Sequence, residues 1–412
     1  MSSKRQPDSG VEGSALQKRT LVYLALAELL AMTLWFSASA VVTALKIEWE
    51  LSTTGVAWLT MSVQIGFVVG TFLSAFLSLP DVMSARKLLA ASALLGAATN
   101  AGFGFFADGI VVGVALRFMT GVFLASVYPP GMKLAATWTR KYRGLAIGLL
   151  VGALTVGSAS PHLVRSLTDI RWESVVLVSS VLALAGGAIV FALVREGPFG
   201  GGKARFEPRV AIRMLSLPGV RLANLGYLGH MWELYAMWTW VPVFLADGLA
   251  ERGESAAVAA AVAFSVIAIG GVGSVAAGAF ADRYGRTTVT TTAMIASGSM
   301  VLLAAVLFDA PLILLTPVLL VWGLTVVADS AQFSAAVTEL SPPEYVGTAL
   351  TMQTATGFLL TLFSIQLVPL FVDAQGWSLA FGSLALGPVV GVWAMLRLRG
   401  QPEALALAGG RR

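Results

Sequence analysis

Twelve apolar stretches, each long enough to cross a bilayer as a helix, run through this chain with short polar breaks between them. They fall near 20–45, 55–79, 88–107, 109–135, 144–164, 174–194, 220–245, 256–280, 288–308, 311–334, 347–371 and 377–397. A hydrocarbon core about 30 Å thick takes roughly 20 residues of helix to span. Backbone in lipid must satisfy its own hydrogen bonds, and runs this long and continuous read as helices rather than strands. The chain is 57% hydrophobic and 12% charged. A soluble domain carries about 25% charged residues. The expected fold is therefore all-α, an integral membrane protein with twelve transmembrane helices.

The longest polar interruption is central. It contains Gly197-Pro198-Phe199-Gly200-Gly201-Gly202, then Lys203, Arg205, Arg209 and Arg213. Breakers followed by basic residues mark a linker at 195–219 between two six-helix halves, 20–194 and 220–397. Residues 1–19 read as a disordered tail and 398–412 as a second tail. The halves share an octapeptide. Glu28-Leu29-Leu30-Ala31-Met32-Thr33-Leu34-Trp35 returns as Glu233-Leu234-Tyr235-Ala236-Met237-Trp238-Thr239-Trp240, 205 residues later (233 − 28). A charge at mid-bilayer costs roughly 2.5–3.5 kcal/mol on insertion scales. Two carboxylates at matching places of a duplicated chain point to a site between its halves.

Charge sets the orientation. With both termini on one side, nearly all of the 27 Lys and Arg fall in that side's tails and loops. Only Lys46, Arg165, Arg171 and Arg252 lie opposite, and Arg117 lies within a span. The loop with Glu339 and Glu344 has no basic residue and departs from the pattern. The bias predicts cytoplasmic termini. It also accounts for the net charge of +5 without nucleic acid. There is no cysteine, and His162 and His230 are the only histidines. Neither a disulfide, a thiolate metal site nor a histidine metal cluster is expected. No nucleotide-binding loop or catalytic triad is visible, so neither a cofactor nor an enzymatic activity is expected.

The intramembrane polar residues are the site candidates. Glu28 lies nine residues past Arg19 and Arg117 nine past Asp108. At 1.5 Å per residue each is about 13 Å from opposite faces, so the two could meet. A carboxylate that pairs with arginine at one stage and is released at another can take up and give off a proton. A permanent structural pair and direct substrate binding are the alternatives. His230 and Glu233 share a helix face in span seven. Trp35, Tyr235 and Trp238 stand in the repeated segment itself. Aromatic rings beside a carboxylate could hold an organic solute, or could simply fill space. Gln64 and Gln353 are further binding candidates, and Asp329 is expected near the cytoplasmic mouth as a gate contact or helix-end group. Glycines at Gly66/Gly70, Gly144/Gly148/Gly152 and Gly270, Gly271, Gly273 and Gly278 read as close helix contacts.

Gly278-Ala279-Phe280-Ala281-Asp282-Arg283-Tyr284-Gly285-Arg286 lies between spans eight and nine. It closely resembles the cytoplasmic loop signature of the major facilitator superfamily, as do twelve spans in two pseudo-symmetric halves. The first-half loop, Asp81-Val82-Met83-Ser84-Ala85-Arg86-Lys87, keeps the acid and the basic pair but loses the glycine and the second arginine. The resemblance implies that Asp81, Arg86, Gly278, Asp282, Arg283, Gly285 and Arg286 form a cytoplasmic gate. Arg117-Phe118-Met119-Thr120-Gly121 is similar to the span-four motif of proton-driven members, and Tyr128-Pro129-Pro130-Gly131 resembles the organophosphate-antiporter branch. The arginines of that branch are replaced here by Glu28 and Glu233. The drug-antiporter signature of span five is absent, Gly157-Ser158-Ala159-Ser160-Pro161-His162 standing in its place.

The resemblance implies secondary active transport of a small organic solute by alternating access. Proton-coupled symport through Glu28 and Arg117 is the expectation, after the family's sugar symporters. Efflux by antiport, or a membrane sensor with the same fold, are the competing readings. The expected partners are a small-molecule solute, protons and the lipid bilayer, with a monomer as the working unit. Scarce asparagine and an excess of Arg over Lys suggest a GC-rich bacterium, and a transporter of this kind is expected in its cytoplasmic (inner) membrane.

Overall fold

The computed structural model describes residues 13–411 except 78, 80–82, 140–142, 168–170, 200–212, 215, 251–252 and 343–344. Several helix starts are explained by one serine each. Ser14, Ser52, Ser84 and Ser255 stand just before a helix, and each hydroxyl accepts the N–H three residues on. Such a cap satisfies a donor the helix leaves free and contributes about 1 kcal/mol.

Among the described residues, ten helical runs are long and apolar enough to cross a membrane. They are span 2 (Thr53–Phe76), span 3 (Ala85–Phe106), span 4 (Ile110–Trp138), span 5 (Gly144–Leu167) and span 6 (Trp172–Leu193) in the first half. Span 8 (Ala256–Tyr284), span 9 (Arg286–Val306), span 10 (Leu312–Leu340), span 11 (Val346–Gln375) and span 12 (Trp377–Arg399) belong to the second. The two remaining long runs carry the repeated octapeptide. They are span 1, Ala15–Met32 continued by Val42–Glu48, and span 7, Pro218–Ala250. The expected twelve spans in two halves of six are present. Gln17 at the start of span 1 reaches the end of span 4, Asp282 at the end of span 8 abuts the start of span 5, and Arg411 donates to the Asp282 carbonyl. The described chain ends therefore share one face, here the terminal face.

Several spans are interrupted where the apolar pattern read as continuous. Span 1 breaks between Met32 and Val42. Span 4 breaks between Leu124 and Tyr128, and span 10 between Val326 and Ser330. Pro129 and Pro130 occupy the first turn of the span 4 restart, where their missing N–H groups cost nothing. Sequence periodicity shows no such breaks, because the residues around them stay apolar.

The halves meet along two seams, span 5 on span 8 and span 2 on span 11. The first seam is backbone on backbone. A Cβ added to Gly148 would stand 2.8 Å from the Ser274 carbonyl oxygen, and one on Gly278 2.7 Å from that of Gly144. Larger residues would force these helices apart, as expected for glycines that close helix contacts. Within the first half Gly66 and Gly121 bring spans 2 and 4 together in the same way.

The tails differ from expectation. Residues expected in the disordered tail are helical from Ala15, and buried Gln17 donates from Nε2 to the Trp138 carbonyl at 2.6 Å. The described residues of the second tail are packed against the bundle. A short helical turn, Pro402–Gly409, buries Ala404 and Leu407, and the Ala408 N–H donates to Glu339 Oε2 at 2.9 Å. Most of the linker, Asp81 and Glu344 lie outside the described residues.

Candidate transport site

A cavity lies between the two halves. Its inner end, about 50 Å³, is walled by Trp35, Tyr128, Tyr227, Tyr235, Trp238 and Phe358, with Met32, Met132 and Met231 filling gaps. Tyr128, Met132, Ser334 and Thr354 also line a larger space of about 400 Å³. That space runs past Ser74, Lys133, Thr338 and Val346, at the ends of spans 2, 4, 10 and 11, to the terminal face.

The opposite side of the inner pocket is plugged by rings from both halves. Trp35 stands 5.7 Å from Tyr235 and 5.4 Å from Phe358, ring centre to ring centre. Phe67 meets Phe358 at 4.6 Å and Phe36 meets Trp238 at 5.8 Å. Each such aromatic pair adds about 0.5–1.5 kcal/mol beyond the area it buries. One turn further from the cavity, the Thr361 hydroxyl donates to Gln64 Oε1 at 2.5 Å, tying span 11 to span 2. The protein is thus closed toward the opposite face and hollow toward the terminal one.

Of the sequence candidates, Trp35, Tyr235 and Trp238 line the pocket. The indole N–H groups of Trp35 and Trp238 are buried without a hydrogen-bond partner. Gln64, His230, Glu233 and Gln353 are buried behind its wall. Both side-chain polar atoms of Gln353 lack partners. The pocket tyrosines Tyr128 and Tyr227 and the serines of span 10 were not singled out as ligands. Tyr128 had a signal in its Tyr-Pro-Pro-Gly motif; the others are ordinary residues of apolar spans.

The expected Glu28–Arg117 pair is not formed. Arg117 instead serves the break in span 1. Its guanidinium donates to the Leu34 carbonyl at 2.9 Å, to Ser37 Oγ at 3.1 Å and to Asn100 Oδ1 at 2.8 Å, and also to the Trp35 carbonyl. Asn100 is held in turn by the Val176 carbonyl and Ser180 Oγ. A broken helix leaves carbonyls bare, and in lipid they must find donors. Leu34 lies six residues beyond Glu28, about 9 Å along a helix. Depth alone allowed the pair, but the break captured the arginine.

Glu28 is left buried with neither carboxylate oxygen hydrogen-bonded. It lies against the restart of span 4, where a Cβ on Gly131 would stand 2.8 Å from Glu28 Oε2. Glu233 has the opposite lot. Trp322 Nε1 donates to one of its oxygens at 2.7 Å and Ser297 Oγ to the other at 2.9 Å. His230 Nδ1 lies 2.8 Å from Asp329 Oδ1, both side chains buried. Asp329 is therefore not a group at the mouth. It stands at the break of span 10, inside the bundle, because the span is two helices and not one.

The gate motif is partly assembled. Arg286 bridges Asp282 at 3.0 Å, Glu339 at 2.9 Å and Gln332 Oε1 at 2.8 Å. Asp282 abuts the start of span 5 in the other half, where a Cβ on Gly144 would fall 2.5 Å from its Oδ1. Gly285 has φ 94°, the left-handed turn that joins spans 8 and 9. Arg283 stays outside this network, its guanidinium over the Tyr284 ring at 5.2 Å. Arg86 lies over Phe191 at 5.7 Å, and Asp81 of the same loop motif is among the residues not described. The Asp282 contact holds the span 5–span 8 seam while the cavity reaches the terminal face along spans 2, 4, 10 and 11.

Two helical halves around a cavity that reaches one face define the class, a multi-pass membrane protein with the architecture of a transporter. The family model of the Major Facilitator Superfamily matches residues 24–364, and the chain belongs to that family. Solved structures agree on the fold. A crystal structure of a D-xylose-proton symporter superposes with a TM-score of 0.74 at 16% identity, covering 94% of this chain and 98% of that one. The proton:xylose symporter XylE bound to 6-bromo-6-deoxy-D-glucose gives 0.73 at 14% identity, covering 93% and 96%. The human organic anion transporter MFSD10 (TETRAN) gives 0.69 at 12% identity, covering 92% and 99%.

Proposed function

We propose that the protein is a secondary active transporter that carries a small organic solute across the cytoplasmic membrane by alternating access, in symport with protons. The observation that carries this reading is the cavity between the halves, reaching the terminal face and plugged toward the other by rings from both. That is the geometry of one end state, with the terminal face as the cytoplasmic one. The charge bias supports that orientation.

Glu28 is the proton carrier in this reading. A buried carboxylate without a hydrogen-bond partner is costly as an anion and tolerable as an acid. It sits at the hinge of span 4, so movement of that hinge changes what surrounds it. Arg117 contributes indirectly, by fixing the broken stretch of span 1 that carries Trp35. The pocket favours an amphipathic solute, with aromatic faces for its apolar part and the two free indole N–H groups for an acceptor on it. The apolar wall of the larger cavity, with Ala75, Ala85, Ile147 and Leu350, also suits an exporter of lipophilic compounds.

The deciding experiment starts with a thermal-shift screen of the purified protein for a stabilising solute. That solute is then followed in proteoliposomes under an imposed pH gradient. Accumulation on the side to which protons flow supports symport, and accumulation against the proton flow supports antiport. If no stabilising solute moves in response to either gradient, the proposal fails.

A further inference from the structure

The second half holds a buried acid–base pair that the transport reading above does not use. His230 Nδ1 stands 2.8 Å from Asp329 Oδ1, with side-chain exposures of 1% and 3%. The contact is close but not aligned as a hydrogen bond, and His230 Nε2 has no partner at all. A structural pair would be expected to satisfy both nitrogens. The pair also lies directly behind the pocket wall. Tyr227 and Met231 flank His230, Val327 and Ser330 flank Asp329, and all four line the inner pocket.

Asp329 occupies a mechanical position. It precedes the eleven-residue helix Ser330–Leu340, and its side chain makes no cap to that helix. Further along the same helix, Gln332 and Glu339 hold Arg286, and Glu339 also takes the Ala408 N–H. Ser334 and Thr338, on this segment, line the cavity toward the terminal face. One rigid segment thus joins the buried pair to the gate cluster.

We infer that His230 and Asp329 form a second proton-binding site, whose occupancy sets the angle of the Ser330–Leu340 helix and so couples protons to the terminal-face gate. The inference rests on proton-coupled transport as proposed above. With neutral imidazole and ionised Asp329 the pair carries one negative charge. A proton entering from pocket water binds the imidazole or the carboxylate and brings the net charge to zero, and its release restores the anion. The charge at the start of the helix therefore changes, and with it the attraction to the helix dipole and to span 7. The titratable neighbours are few. On span 7 they are Glu233, engaged with Trp322 and Ser297, and Tyr227, 6.0 Å from the His230 ring. Tyr128 of span 4 also lines the pocket. Spans 5, 8, 11 and 12 and the C-terminal turn place their ionisable groups at or near their ends: Arg143, His162 and Arg165, Asp282 and Arg283, Asp373, Arg397 and Arg399, and Glu403. Arg286 of span 9 and Glu339 belong to the gate cluster itself.

The chain has only two histidines, so histidine labelled with nitrogen-15 gives two imidazole signals, assigned with a His162→Gln variant. In the full-length protein in nanodiscs, the His230 signal should titrate, and Asp329→Asn should move its midpoint. The gate is read by maleimide reactivity of Thr338→Cys, with no native cysteine to interfere. Divided by the rate of glutathione at the same pH, which cancels the ionisation of the thiol itself, its rate should depend on pH, and His230→Gln or Asp329→Asn should remove that dependence while gel filtration shows the protein still folded. A His230 signal that does not titrate, or titrates identically in Asp329→Asn, overturns the site. So does a pH-dependent rate that both variants retain. If that retained dependence disappears in Glu28→Gln, coupling through Glu28 stands and this site alone falls. A rate independent of pH in the parent removes both.

Discussion

The two copies of the repeated segment place an acid at matching points of spans 1 and 7, and the two acids lead different lives. Glu233 is saturated, with an indole and a hydroxyl on its two oxygens. Glu28 is equally buried and has neither. The difference arises in spans 4 and 10. Gly121 and Gly323 make the same close approach, to the Val63 and Val266 carbonyls, and so mark equivalent positions. The residue before Gly323 is Trp322, which reaches Glu233. The residue before Gly121 is Thr120, whose hydroxyl is used by the Leu116 carbonyl and Thr99. A tryptophan at one register position makes a static acid, and a threonine there leaves a free one. The repeat places two acids, and their neighbours bond only one of them.

The largest effect that could break this contrast is on coupling. Glu28→Gln should abolish accumulation driven by a pH gradient in proteoliposomes while solute exchange continues, whereas Glu233→Gln should leave both. Loss of coupling in Glu233→Gln, with Glu28→Gln unaffected, would invert the assignment of the two acids.

Next is Arg117. Its removal takes the donor from the Trp35 carbonyl and Asn100 Oδ1 loses one as well, while the Leu34 carbonyl keeps only the Ser37 hydroxyl. Each buried acceptor left unsatisfied costs about 1–3 kcal/mol. Arg117→Ala should therefore unfold at markedly lower temperature in detergent, and Arg117→Lys should recover only part of the loss, since one ammonium cannot match the fork. An Arg117→Ala protein of parental stability that is merely uncoupled would restore the arginine to a direct role in proton movement.

A smaller change is expected at Glu233. Glu233→Gln keeps the shape and can keep both contacts, its amide oxygen accepting from Trp322 Nε1 and its amide nitrogen donating to Ser297 Oγ. Charge-assisted hydrogen bonds nevertheless become neutral ones, so about 1–2 kcal/mol of stability should be lost. The same substitution at Glu28 removes no bond and should be neutral or stabilising. Denaturation curves of the two variants side by side test this directly. The smallest effect is steric. Gly131→Ala puts a methyl group against Glu28 Oε2, and Gly131 lies in a helix that can tilt at its break. It should slow proton-coupled transport a few-fold, on the order of 1 kcal/mol, with unchanged membrane insertion and little change in melting temperature. A fully active variant would mean that Glu28 moves away from span 4 during the cycle.

Much of this was legible in the residues. Span positions agree with expectation to within a few residues for most helices, because crossing lipid demands an apolar length that composition alone reveals. The glycine contacts were also readable, from spacing; the motif named Asp282 and Arg286 as residues of one loop, but not that Glu339 and Gln332 would hold the arginine. Residues of the aromatic plug were named, but not that rings from both halves close on one another. Asp329 was misplaced because its span was taken as one straight helix, and the arithmetic of rise per residue carried it to the mouth. The break instead leaves it beside His230, a contact between residues 99 positions apart (329 − 230) that no local pattern encodes.

By itself the sequence determined that this chain lives in a membrane, in two related halves of six helices, with a carboxylate in each half's first helix. Those are consequences of apolar length, charge bias and repetition, which are properties of the chain taken locally. Which acid is bonded, which partner Arg117 takes and which face the cavity reaches were decided only by tertiary structure. Each depends on where helices break and which distant donors the break exposes. In lipid, every bare carbonyl competes for the few buried donors available, and that competition is settled in three dimensions.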